Sequence, residues 1–287
     1  MRIKNLRWWI VGLLFFGTAL NYLDRNVLAI LEPMIKRDLN WTPQDWGLIN
    51  GGFWLAYAVF AMVTGRLLDK IGTKLGYTLM LAWWGTACAL HGFAGSVMGF
   101  VILRFALGMA ESGVIPATAK ACAEWFPQKE RGFAYGLSVM GMMIGGIVAP
   151  PVTGLIAMKF GWQWAFFVTG GVCALWLLGW QWLFNDPAKN KHITEAERGY
   201  ILKNKMTEHE SCPDNGAGGR VSIRNLVGLP QVWGIAVARF LGDPVWAFFV
   251  AWIPKYMSEA RGIVFRERKR PKLSIEQIFG RKCFIEC

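Results

Sequence analysis

Charge is scarce in this sequence: Asp, Glu, Lys and Arg make up only 17% of its 287 residues, while 54% are hydrophobic, with 16 Trp and 19 Phe among them. A soluble chain carries about a quarter charged residues, so the shortage excludes a single water-soluble core and makes a membrane protein the first reading. A disulfide framework is missing too. Of six cysteines, Cys88, Cys122 and Cys173 fall in or beside apolar stretches, where a small apolar residue is the plain reading. Cys212 stands alone in a polar segment, and Cys283 and Cys287 form a pair with no further ligand nearby. No metal site and no cofactor is expected from that pattern. Nor do a nucleophile, a base and an orienting group occur together, which argues against a membrane enzyme; the Asp243 of "LGDP" has no second aspartate in a comparable span.

What is present is a series of long apolar runs. Crossing a hydrocarbon core takes roughly 20 mostly apolar residues, and such stretches fall at about 8–32, 46–67, 76–94, 97–119, 133–158, 162–184 and 231–256. The opening "MRIKNLRWW" is basic, but the run behind it is long, contains Asp24 and Arg25 and shows no small-residue cleavage site. A retained first span is therefore expected rather than a signal peptide. Residues 1–184 read as a six-span bundle, 185–230 as a cytoplasmic linker, 231–256 as a seventh span and 257–287 as a basic, aberrant tail. Within the linker, Thr194 followed by Glu197 has the spacing of a helix cap, and the stretch ends in a flexible Gly-rich segment.

The formal net charge of +12 raises nucleic acid as a partner, but its distribution removes that reading. Arg2, Lys4 and Arg7 precede the first span, Arg66, Lys70 and Lys74 follow the second, Lys120, Lys129 and Arg131 follow the fourth, and seven more lie in the linker. The alternate connections hold only Lys36, Arg37 and Lys159. The positive-inside bias then predicts a multi-pass protein of the cytoplasmic membrane with a cytoplasmic N-terminus and lipid as its surroundings.

Against this background the charges inside the spans stand out. An Asp or Arg at a helix centre costs about 2.5–3.5 kcal/mol on insertion scales, so such residues face a bundle interior or a wet cavity. Asp24 and Arg25 are adjacent, flanked by Asn21, Tyr22 and Asn26; Arg104 and Glu111 are two helical turns apart and share a face; Arg239 and Asp243 are one turn apart. Asn50 and Tyr57 add hydrogen-bonding groups. Three clusters in three spans predict a polar cavity near mid-membrane. An arginine fork suits a carboxylate, and a carboxylate pulled between desolvation and a nearby arginine can load and release a proton. Proton-coupled uptake of a small organic anion follows as the expected chemistry. The run "GMMIGGIVAPPVTG" places Gly141, Gly145 and Ala149 four apart, which predicts close helix approach, with Pro150 and Pro151 interrupting the ladder.

These residues resemble a known family. "GRLLDKIGTKLGY", with Gly65, Asp69, Gly72 and Lys74 in place, is similar to the loop signature of the major facilitator superfamily; "RFALGMAES" and the Gly and Pro run resemble its span-four and span-five signatures. "NYLDRN", "GMAESGVIPA" and "EWFPQKERGFAYG" look like its anion:cation symporter branch, and most like the hexuronate and sugar-acid transporters, over residues 7 to about 257. The resemblance implies an all-α membrane protein, the six-helix N-terminal half of a twelve-helix fold plus a seventh span, working as a proton-driven symporter of a sugar acid. It implies that Asp24 and Glu111 are the proton-coupling carboxylates, that Arg25 and Arg104 serve the substrate carboxylate and its charge balance, and that Tyr22 and Tyr57 line the cavity. Asp69 is expected at the inner gate, where it meets a helix N-terminus of the other half.

The family has twelve spans in two halves, and this chain supplies the first half, the linker and one further span. The tail from about Gly262 is expected to be a foreign ending, from a frameshift or a truncated gene, with a sequencing error as the other option. Two readings of function therefore stand beside each other: a sugar-acid carrier represented by an incomplete chain, and a non-transporting half-bundle acting at most as an interaction partner.

Overall fold

The computed structural model describes residues 2–211, 228–238, 240–242 and 245. Its named elements are all helices: α1 (Leu6–Leu39), α2 (Pro43–Ile71), α3 (Thr73–His91), α4 (Val97–Glu111), α5 (Val114–Trp125), α6 (Gln128–Phe160), α7 (Trp162–Leu183) and α8 (Glu195–Ser211). The chain divides into two compact units, Met1–Pro213 and Asp214–Cys287. Of the seventh span predicted over 231–256, residues 231–238, 240–242 and 245 are helical; Arg239 and Asp243, the Gly-rich linker end, Cys212, Cys283 and Cys287 and the tail lie outside the described residues.

Turn chemistry sets the helix ends. Asn40 closes α1 in the left-handed region at φ 53, and its N–H donates to Lys36 O. Thr42 then opens α2 with a reciprocal cap: its Oγ1 accepts from Asp45 N at 3.2 Å and its own N–H donates to Asp45 Oδ2 at 2.9 Å, with Pro43 at the first helical position. Gly72 turns α2 into α3 at φ 83, a backbone value that side chains disfavour. α1, α2 and α6 overrun the predicted spans at both ends, α3 ends three residues short of its own, and α1 continues through Pro33.

The predicted fourth span is not one rod. It breaks after Glu111, where Ser112 turns back to donate from Oγ to Met109 O at 2.8 Å, and α5 restarts at Val114 to reach Trp125. Among the described residues five stretches, α1, α2, Val97–Trp125, α6 and α7, are long and apolar enough to cross a membrane. The third, α3, carries Thr, Gly, Tyr and Trp through its length, and it packs on α2, α4, α5 and α7. Shielded in this way it needs less apolar surface of its own.

Packing pairs α1 with α6, α2 with α4, and α3 with α7. At the first of these seams a Cβ on Gly141 would strike Phe15 O, and one on Gly145 would strike Ala19 O, so only glycine permits the backbones to meet. The predicted close approach is thus an α6–α1 contact. Outward, Leu55, Met62, Ile147, Leu175 and Leu178 stand exposed on a surface suited to hydrocarbon and not to water.

Candidate functional site

Arg25, Arg104 and Glu111 converge where α1 passes the break between α4 and α5. Arg25 donates from Nε and Nη2 to one oxygen of Glu111, Oε2, at 3.0 and 2.9 Å. The Glu111 side chain is fully buried and that of Arg25 is 17% exposed, so the pair sits at the edge of the packed bundle. Arg104, also buried, donates from Nη2 to the backbone carbonyl of Arg25 at 3.2 Å. Glu111 Oε1 and Arg104 Nε are buried without a hydrogen-bond partner among the described residues. A buried ion pair with unfilled positions is costly to keep.

Arg25 is also held by rings. Its guanidinium carbon lies 5.0 Å from the Tyr22 ring, 5.2 Å from Phe53, 5.7 Å from Trp54 and 5.1 Å from Tyr57. Cation–π contact of this kind orients a guanidinium without using its hydrogen atoms. Tyr22 and Tyr57 are two of the four rings around this guanidinium. Phe53 and Trp54 were missed; their signal is the Asn50, Trp54, Tyr57 spacing, which puts those three on one helical face. Asn26 and Asn50 do not reach into the centre with their amides, which donate to Tyr22 O and Trp46 O of their own helices.

Asp24 does not share the centre of its sequence neighbour. It turns to the other side of α1, buried, and accepts from the thiols of Cys173 on α7 at 3.2 Å and Cys88 on α3 at 3.6 Å. This corrects the plain reading of two of the three span cysteines as small apolar residues. Cys122 pairs its sulfur with Ser138 Oγ at 3.8 Å inside the bundle. No group of three or more His, Cys, Asp and Glu suited to a metal occurs among the described residues.

His91, another buried group the sequence did not single out, stacks on Phe166 at 5.3 Å and binds Ala87 O through Nδ1 at 2.7 Å. It belongs to an aromatic plug with Phe100, Trp162 and Trp41 at the bundle end opposite the α1 N-terminus.

The loop signature folds as a connected corner. Asp69 Oδ1 pairs with Lys120 Nζ of α5 at 2.8 Å, and the same ammonium donates to Leu68 O at 2.8 Å. Lys74 reaches Gln181 O and Asn185 Oδ1 at the end of α7, at 3.1 and 3.2 Å. Gly72 makes the turn, and Gly65 has open space where a side chain would stand. Among the described residues Asp69 is thus met by a lysine of the same bundle.

The linker helix also departs from its local pattern. Glu197 accepts from Leu6 N at 3.0 Å and Arg7 N at 3.1 Å, capping α1 and not its own helix. The cap position of α1, Asn5, is left-handed at φ 57 and makes no side-chain cap bond, so the carboxylate of Glu197 supplies what Asn5 does not.

With the geometry in place, the comparisons with known proteins are specific. The Major Facilitator Superfamily profile matches residues 14–270. A galacturonate transporter of Dickeya chrysanthemi is 38% identical over 266 residues, covering 93% of this chain and 76% of its own length. A hexuronate transporter of Escherichia coli (strain K12) is 36% identical over 266 residues, covering 93% of this chain and 61% of its own. A bacterial homolog of the human lysosomal transporter Spinster, solved in an inward-facing and occupied conformation, superposes with a TM-score of 0.59 at 21% identity, over 68% of this chain and 47% of that one, and shows likeness of fold alone. The chain spans 76% and 61% of the two relatives' lengths and about half of that solved structure. Helix content, signature corner, profile and relatives agree: the chain belongs to the major facilitator superfamily, and its six-column bundle is half of that fold.

Proposed function

We propose that this chain carries the N-terminal half of a proton-coupled symporter for a sugar-acid anion, hexuronate or a close relative, in the cytoplasmic membrane with its N-terminus inside. The observation that carries it is the Arg25–Glu111 pair: two guanidinium nitrogens grip one carboxylate oxygen, while Nη1 has no hydrogen-bond partner among the described residues. An incoming carboxylate and Glu111 are then alternatives for one fork. Counting Arg25 and Arg104 against Asp24 and Glu111 over both sites, the mid-span charges of the described bundle are balanced, and an added anion leaves them one negative charge in excess in a medium that penalises net charge. A proton on Glu111 cancels that excess and releases the fork to the substrate. Symport with a proton follows from that balance, and the transporters of galacturonate and hexuronate among the relatives give the substrate class. Tyr22 and Tyr57 line the approach to Arg25, and Asp69 serves the inner gate by exchanging Lys120 for a helix terminus of the second half. The required partners are the anion, the proton and lipid, with no nucleic acid, metal or cofactor.

Uptake of labelled galacturonate or glucuronate into cells lacking their own carrier tests this, for the 287-residue chain and for the same chain extended by a relative's second half. The extended chain is expected to concentrate label when the outside is acidified, and Glu111→Gln is expected to abolish the dependence on the pH gradient. Uptake indifferent to an imposed gradient would sink proton coupling while leaving the substrate class standing.

A further inference from the structure

Asp24 is a buried carboxylate whose hydrogen-bond donors among the described residues are two thiols. The two are not equivalent. Cys173 Sγ has Asp24 Oδ2 at 3.2 Å. Cys88 Sγ has two acceptors for its one hydrogen: Asp24 Oδ1 at 3.6 Å and Thr169 Oγ1 at 3.2 Å. The Thr169 hydroxyl donates down its own helix, to Ala165 O at 2.9 Å, which leaves its oxygen free to accept. One S–H between a carboxylate and a hydroxyl oxygen has a choice, and charge decides it. An ionised Asp24 is the stronger acceptor and draws the Cys88 hydrogen; a protonated Asp24 releases it to Thr169.

We propose that Cys173 and Cys88 are positioning residues of the proton site, Cys173 as the standing donor to Asp24 and Cys88 as a donor that moves between Asp24 and Thr169 with the charge of the carboxylate. The proposal rests on the reading of Asp24 as a proton-coupling group. Thiols suit the task because an S–H is a weak donor. A carboxylate held by arginine takes up a proton only when another anion claims the guanidinium, whereas one held by thiols gains enough to be oriented and too little to be locked. Arg25, next in sequence, is committed to Glu111 on the far side of α1, so the two carboxylates have opposite kinds of partner. The other groups acting on Asp24 are the indole N–H of Trp84 on α3, which favours the anion, and Glu111 and Arg104 of α4, through space. Of the charged residues of α5 and α6, Lys120 in the middle of α5 is paired with Asp69, and Glu124, Lys129, Glu130, Arg131 and Lys159 lie toward the ends of those helices.

Infrared difference spectroscopy on the purified full chain in lipid bilayers tests this without a transport assay. The carboxylic C=O band of Asp24 is the one lost in Asp24→Asn, and its intensity is followed as a function of pH. Cys173→Ala removes a donor to the anion, so the protonated band is expected to persist to higher pH, by roughly 0.5–1 pH unit. Cys173→Ser restores a donor and returns the midpoint to the wild-type position or below it. Thr169→Val removes the competing acceptor, keeps the Cys88 hydrogen on Asp24 and moves the midpoint the opposite way, by roughly 0.3 pH unit. In the wild type the S–H stretch of Cys88 is expected to shift at the same pH as the carboxyl band. Equal midpoints in all three variants, or shifts of one sign in all of them, would overturn the proposal and leave Asp24 a proton site. An Asp24 band that never titrates would overturn both the proposal and the coupling role of Asp24.

Discussion

Two arginine–glutamate clusters occupy the first compact unit, one at the middle of the bundle and one at its helix ends, and they use their carboxylates differently. At the ends, Glu197 places both oxygens on the amides of Leu6 and Arg7, and Glu130 places one on Arg7 Nη1 at 2.7 Å and the other on the Tyr200 hydroxyl at 2.9 Å. In the middle, Glu111 uses one oxygen only, and its other oxygen, though buried, has no hydrogen-bond partner among the described residues. The same residue types at similar distances make a joint in one place and an open site in the other. Saturation of the carboxylate separates them, more than burial or charge does.

Breaking the central pair should have the largest effect. Glu111→Ala leaves Arg25 charged and half-caged in an apolar setting, and the loss expected for orphaning one member of a buried pair is about 3–5 kcal/mol. Thermal unfolding of the purified chain in detergent measures it, and a loss within error would place the pair in a far wetter setting than its burial indicates. Next comes the joint. Glu197→Ala removes the remote cap of α1 at a cost of about 1 kcal/mol, read locally as faster amide exchange at Leu6 and Arg7 with the mid-bundle amides unchanged. Glu197→Gln, which keeps an acceptor oxygen, should recover most of that protection.

Smaller effects sharpen the contrast further. The Asp69–Lys120 pair, whose carboxylate is 75% exposed, should show a coupling below about 1 kcal/mol in a double-mutant cycle, declining as salt is raised. Arg2 and Glu195 form an ion pair at 2.9 Å with both side chains largely in solvent, and Arg2→Ala should leave the unfolding temperature unmoved. A ranking in which the exposed pairs matter as much as Glu111 would erase the distinction between joint and site.

Much of this arrangement was legible in the sequence because lipid is a strict solvent. The six columns of the bundle follow from apolar length, and Arg25, Arg104 and Glu111 announced themselves as charges where charge is expensive. Helix ends were not legible. Hydropathy fades at the edge of the hydrocarbon, while the backbone hydrogen bonds of α1 continue through "EPMIKRDL" to Leu39. The break after Glu111 was hidden for a similar reason, since Ser112 and Gly113 are tolerated inside apolar runs. Partners were hidden more deeply. A cysteine in a span reads as a small apolar residue until a carboxylate 149 positions away is found beside it, as Asp24 is beside Cys173. Glu197 misled in the opposite way, because a local pattern supplied a plausible target on its own helix while the amides it binds belong to residues 190 and more positions earlier.

The glycine seam between α1 and α6 has a practical use. With the carbonyls of Phe15 and Ala19 seated against Gly141 and Gly145, and Thr18 Oγ1 donating across the seam to Ser138 O at 2.6 Å, the helices meet with little side chain between them to compress or re-pack. A pair of spin labels placed on the outer faces of α1 and α6 near that level should report one narrow distance in every preparation, with or without anion and at any pH. It supplies the molecule with an internal ruler, against which displacement of any other helix can be calibrated.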